Sequence, residues 1–153
     1  MEKPKRGPYA SPGYHLWHAG LLWTRAITTA LEPQGLTHTQ FFVLASARWL
    51  GLSGPPPMQR EVAELVGIDR NMTSQVVRTL EARGWLSRED APEDTRAWRL
   101  RLTPEGERIF QAAITSVREV DARFFGALGK RLPTFVEELQ RLRTAAGAPA
   151  GEE

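Results

Sequence analysis

Ser74, Gln75 and Arg78 fall on one side of a stretch with helical periodicity, opposite Met72, Val76, Val77 and Leu80. A hydroxyl, an amide and a guanidinium on one polar face can hydrogen-bond base edges and phosphates, and duplex DNA presents both. Arg70, at the entry to that helix, suits the sugar-phosphate backbone, and Asn71 lies within reach of bases or phosphates. Thr73 sits at the margin of the face, where it serves packing or phosphate binding. Further on, Glu89 to Arg96 forms a charged loop with one proline and no apolar side chain larger than alanine, so it is expected to project. Arg96 near its end suits a narrow minor groove, where negative potential is concentrated. The alternative is a hairpin that only caps a small core, with Arg96 paired to Asp94; the two are compatible, because an ion pair that stiffens the tip also aims it. Arg88 and Asp94 complete the candidate DNA-binding set.

Other chemistry has less support. The chain has no cysteine, which excludes disulfides, thiolate metal sites and thiol-based sensing. It has no glycine-rich phosphate loop and no paired-histidine metalloprotease motif, and no residue stands out as a nucleophile. An enzyme is therefore not expected, and neither is a cofactor. His15 and His18 are spaced i, i+3, but His38 is the only other histidine, so a metal site would have to recruit carboxylates. No apolar run approaches the ~20 residues that span a bilayer. Met1 to Pro12 has charges but no hydrophobic stretch after them, unlike a secretory signal. These features fit a cytoplasmic protein that does not enter the membrane. The net charge of +2 is too small to signal nucleic acid by itself.

The elements that must position the polar face follow from periodicity and punctuation. Gln59 to Val66 reads as a short amphipathic helix, with Val62, Ala63 and Val66 on one face and Gly67 closing it. Ile68 to Asn71 is a turn, and Met72 to Arg83 a second helix ended by Gly84. Trp85 to Arg88 and Ala97 to Leu102 alternate apolar and polar residues, as two half-buried strands do. The whole is a helix-turn-helix with a two-stranded wing. Before it, Tyr14 to Leu31 and His38 to Leu50 read as helices, the second entered through a capping box at Thr37 and Gln40. After it, Thr103 and Pro104 start a helix running to about Leu128, striped by Phe110, Ile114, Val117, Val120, Phe124 and Leu128. A last helix, Thr134 to Ala146, carries Phe135, Val136, Leu139 and Leu142. Its stripe and that of the long helix exceed what one small winged unit can cover, so a two-fold homodimer is expected. The fold class is mainly α with a small β-wing in a single domain, 1–153. Within it lie an N-terminal arm (1–13), dimerisation helices (14–35 and 104–146), the winged unit (36–103) and a flexible tail (147–153).

Gly35-Leu36-Thr37, Gln40-Phe41, Glu61-Val62-Ala63-Glu64, Leu80 to Leu86, Asp94-x-Arg96-Ala97 and Leu102 to Gly106 occur in that order. Together they resemble the winged-helix regulators of the multiple antibiotic resistance regulator (MarR) family, over roughly residues 15 to 145. The resemblance implies a homodimeric, mostly repressing transcription factor that reads a near-palindromic operator in double-stranded DNA. It also implies release by a small amphipathic or aromatic effector. Trp17, Trp23 and Trp49 lie on helices that border an effector cleft in such proteins, and His15, Trp17, His18 and Trp49 are the candidate lining; core packing is the alternative for each tryptophan. Thr95 and Gln75 stand where arginine is common in the family, which leaves the base preference open. The competing interpretation is a winged-helix interaction module without specific DNA reading, since fold does not settle function.

Overall fold

The computed structural model describes residues 7–94 and 96–148. Among the described residues, six α-helices and one two-stranded sheet follow in the order α1 (Pro12–Leu31), α2 (His38–Leu50), α3 (Gln59–Val66), α4 (Arg70–Ala82), β1 (Leu86–Asp90), β2 (Trp98–Leu102), α5 (Pro104–Phe125) and α6 (Leu132–Ala145). The winged helix-turn-helix expected from the sequence is present. The chain divides into two compact units at Val117 and Arg118, inside α5.

The first unit holds the core. Val43, Leu44, Val62, Val77, Leu80, Leu86 and Leu100 are fully or almost fully buried, as are Ile27 and Leu31 of α1 and Ala113 of α5. Phe41 stacks on Phe110 with ring centroids 5.9 Å apart. Arg48 lies over the same Phe110 ring and donates to Glu107 at 2.9 Å, so α2 is tied to the first turns of α5. The helix starts follow from their caps. Thr37 Oγ1 accepts from the Gln40 N–H, and the Gln40 side chain accepts from the Thr37 N–H, completing the expected box. Strands β1 and β2 pair antiparallel, with Leu86 opposite Leu102, Arg88 opposite Leu100 and Asp90 opposite Trp98. The Leu100 N–H donates to the Pro57 carbonyl at 2.8 Å, which seats the segment before α3 against the wing.

Several boundaries differ from those expected. Helix α1 begins at Pro12, because Ser11 Oγ caps the Tyr14 N–H, and Pro8–Ala10 form a 3₁₀ turn. Residues 7–13 are therefore structured rather than a loose arm; 1–6 lie outside the described residues, as do 149–153 of the expected tail. Helix α4 starts at Arg70, two residues early, because Asp69 caps it by accepting from the Met72 N–H at 2.9 Å. Helix α5 stops at Phe125, near 33 Å at ~1.5 Å per residue. A 3₁₀ segment, Gly126–Arg131, follows, with Gly129 at φ 52°.

In α5, Phe110, Val117 and Val120 of the expected stripe are buried and Ile114 is half-buried. The second unit contains the end of α5 and α6, where Phe125 and Phe135 rings lie 6.2 Å apart. No side chain of α6 is buried, and Val136 and Leu142 are exposed. Among the described residues, no helix is long and apolar enough to cross a membrane.

Candidate nucleic-acid interface

Helix α4 is held from beneath and leaves one ridge in solvent. Thr73, Val77 and Leu80 face the core, and Asn71, Gln75 and Arg78 are exposed. Their spacing, i, i+4 and i+7, places these three along one stripe. Because Asp69 caps the helix, Arg70 and Asn71 belong to its first turn rather than to the preceding turn. Arg70 is exposed and Ser74 half-buried, one turn apart on the flank toward the wing. There a cleft of about 300 Å³ opens, lined by Gln59 of α3, Arg70 and Ser74 of α4, and Arg96, Ala97 and Trp98 of the wing.

Burial settles two residues of α4. Thr73 is fully buried, and its hydroxyl donates to the Asp69 carbonyl at 2.8 Å. It packs, and has no surface with which to meet a phosphate. Met72, expected on the apolar side, is 46% exposed; it lies about 100° around the helix from Thr73, at the margin of the buried face.

The wing is braced by charge pairs. Arg88 donates to Glu81 of α4 at 2.9 Å and lies 5.2 Å from the centroid of the Trp98 ring. Arg88 is thus held by a carboxylate of its own chain. Arg99 donates to Glu93 and to the Pro56 carbonyl, and Arg101 donates to Glu89 at 2.6 Å. The Glu93 backbone N–H, aided by Arg99, holds the Glu93 carboxyl below the usual carboxylate range. Asp94 accepts from the Arg96 backbone N–H at 3.0 Å and lies 3.9 Å from the Arg60 guanidinium of α3. Asp94 therefore shapes the turn and ties it to α3. The bond it makes is to the Arg96 main chain, not to the guanidinium, which is exposed. Ala91 is buried, so the loop does not project along its whole length as expected.

Seven arginines between residues 70 and 101 sort by partner. Arg88, Arg99 and Arg101 are paired with carboxylates. Arg83 donates to the Gly35 carbonyl at 2.5 Å and lies over Trp85. Among the described residues, Arg70, Arg78 and Arg96 have no acidic partner within ion-pair distance. Positive charge that matters for an anionic ligand is thus gathered on α4 and the wing tip, which the small net charge conceals. Gln59 and Arg60 were not singled out in the sequence. Their only signal was position: they open the polar side of α3, ahead of its apolar face.

The candidate effector residues are divided. His15 Nε2 donates to the Tyr9 carbonyl at 2.7 Å, and His18 Nδ1 to the Tyr14 carbonyl at 2.9 Å. With Trp17 against His18 at 5.0 Å, they form an aromatic cluster at the start of α1. Trp49 stands at the end of α2 and makes no described ring contact with that cluster. Trp17 and Trp49 are each 64% exposed, so core packing does not explain them within one chain. Trp23 is half-buried against His38 at 5.2 Å. Burial lowers the His38 pKa, and its Nε2 is buried without a hydrogen-bond partner among the described residues.

Comparison with known proteins agrees with this geometry. The MarR family model matches residues 36–98, from just before α2 to the start of β2. An uncharacterised HTH-type transcriptional regulator of Bacillus subtilis, YdcH, is 38% identical over 136 residues, covering 89% of this chain and 92% of the relative. CouR from Rhodococcus jostii RHA1, solved bound to p-coumaroyl-CoA, superposes with a TM-score of 0.81 at 26% identity, over 97% of this chain and 100% of that one. The M. tuberculosis transcriptional regulator MOSR, solved in complex with DNA, superposes with a TM-score of 0.75 at 26% identity, over 90% and 97% of the two chains. With its helix-turn-helix, its arginine-bearing wing and a relative matched along most of both lengths, the chain belongs to the MarR family of transcriptional regulators.

Proposed function

We propose that two copies of this chain bind a near-palindromic operator in duplex DNA, each setting α4 into a major groove. The observation that carries this reading is the exposed stripe Asn71, Gln75 and Arg78, flanked by Arg70 and Arg96, with all three arginines lacking an acidic partner among the described residues. Asn71, Gln75 and Arg78 supply base contacts, Arg70 holds a phosphate and Arg96 enters the adjacent minor groove. Asp94 sets the wing turn that presents Arg96. The protein acts in the cytoplasm by binding, not by turnover.

Pairing of two copies is supported by apolar surface that one chain leaves in solvent. Leu16, Trp17, Leu21 and Leu22 are exposed on α1, and Val136 and Leu142 on α6. Patches of large apolar side chains on a regulator are most often interfaces. Two-fold symmetry then sets the two α4 helices about one helical turn, ~10 bp, apart on DNA.

Repression with release by a small amphipathic ligand is the regulatory form proposed. The Rhodococcus neighbour is seen with p-coumaroyl-CoA, and the exposed His15, Trp17 and Trp49 with the half-buried His18 of this chain offer stacking surfaces. A ligand acts by binding better to an arrangement whose α4 spacing does not fit DNA. Selection of bound fragments from a genomic pool at stated salt tests the reading. Enrichment of one inverted repeat is expected; fragments without a common sequence would overturn it.

A further inference from the structure

Gln59 is the first residue of α3. Its place is fixed by the turn before it, where the Glu61 carboxylate accepts from the Met58 N–H at 2.6 Å. From there the Gln59 side chain crosses to the neighbouring helix, and its Nε2 donates to Ser74 Oγ at 3.0 Å. Both residues are half-buried and both line the cleft between α3, α4 and the wing.

A serine hydroxyl has one proton to give and two lone pairs with which to accept. In helices that proton is often spent on the carbonyl four residues back. Thr73 and Thr79 of α4 do this, donating to the carbonyls of Asp69 and Gln75. No such bond is made by Ser74; its described partner is the Gln59 amide, a donor. The Ser74 proton is therefore turned away from Gln59 and left unspent at the rim of the cleft, on the flank that also carries Arg70.

We infer that Gln59 is a positioning residue that fixes the polarity of Ser74, so that this hydroxyl donates to a hydrogen-bond acceptor on DNA. The inference rests on the DNA-binding reading and deepens it. The acceptor is a phosphate oxygen or purine N7. Gln59 itself need not touch DNA. Its effect is to keep Ser74 from presenting a lone pair where a proton is wanted, and to spare the complex the cost of ordering that rotor.

A double-mutant cycle on the full chain tests this, with Gln59→Met (similar length, no hydrogen bond) and Ser74→Ala, each alone and together, titrated against the selected operator. Gln59→Met is expected to weaken binding about 3- to 10-fold, the scale of one neutral hydrogen bond, with the melting midpoint lowered by no more than a few degrees. In the Ser74→Ala background it should have no further effect. A role of Gln59 that does not run through Ser74 would persist in that background and overturn the inference, as would a Gln59→Met variant that binds like wild type. Gln59→Ala repeats the cycle should methionine pack poorly. Operators carrying 7-deazapurines or methylphosphonates then separate the two acceptors: whichever erases the Ser74→Ala effect removes the partner, and an effect erased by neither refutes the claim. A wild-type chain without operator preference would instead sink the DNA-binding reading itself.

Discussion

Replacing Gly106 by alanine should cost far more than a glycine in the first turn of a helix ordinarily would. A Cβ at that position falls 1.8 Å from the Trp85 carbonyl oxygen and 2.8 Å from its carbon. To reach even 3.0 Å the two backbones must separate by about 1.2 Å. Neither partner is a side-chain tip that can swing aside. The Trp85 carbonyl accepts from the Thr103 N–H at 3.2 Å, the Thr103 hydroxyl donates to the Gly84 carbonyl at 2.6 Å, and the Gly106 N–H donates back to that hydroxyl at 3.0 Å. Overpacking of this kind costs about 1–3 kcal/mol, and weakening one or two of the bonds adds about 0.5–1.5 kcal/mol each. A total near 3 kcal/mol corresponds to a fall in melting midpoint of about 6–12 °C for a chain of this size. Calorimetry at fixed protein concentration reads it, because midpoints of associating proteins move with concentration. Gly67→Ala is the control: Gly67 has φ 77° but nothing within 4 Å of its Cβ, so only backbone strain of about 1–2 kcal/mol is added. If Gly106→Ala melts at or above Gly67→Ala, the close approach of α5 to the start of the wing is not what holds that junction.

Three further outcomes are expected. Arg96→Ala should weaken binding to most sequences and reduce the salt slope of log affinity by about 1, as loss of one phosphate-neutralising charge does; an unchanged slope in salt titrations would make the wing structural only. Leu142→Asp should raise the dimer dissociation constant about 100-fold or more if a second copy covers α6, since an unpaired charge would then be buried; sedimentation equilibrium decides it, and an unaltered constant removes α6 from the interface. For His38, burial lowers the folded-state pKa below the ordinary 6.5, so the unfolded chain binds more protons in the window beneath that value. Stability contributed by neutral His38 is full above 6.5 and is lost as pH falls toward the folded value. His38→Gln should flatten that part of the melting-midpoint profile, and a profile identical to wild type would refute the assignment.

The framework of elements was legible because each helix carries its own punctuation: Thr37 and Gln40 box α2, and Gly67 closes α3. The start of α4 was misplaced because Asp69 reads equally well as a turn residue and as a cap, and only the Met72 N–H at 2.9 Å decides between them. At the interface, periodicity correctly exposed Gln75 and Arg78. It misassigned Met72, which lies about 100° around the helix from the buried Thr73, and it left Thr73 between packing and phosphate binding, which its burial decides for packing. Arg88 illustrates a different limit. An arginine looks the same in sequence whether free or held, and its Glu81 partner is seven residues away on another element. The Gln59 to Ser74 bond, between separate helices, left no periodic trace at all.

Insertion of half a helical turn, about 5 bp, between the half-sites of the selected operator tests the paired-reader claim most directly. With two α4 helices held at one pitch, the second would meet the wrong side of the duplex, and affinity should fall by about 10³-fold toward its non-specific level. Affinity that survives the insertion, with protection confined to one half-site, would show a lone copy at work and contradict it.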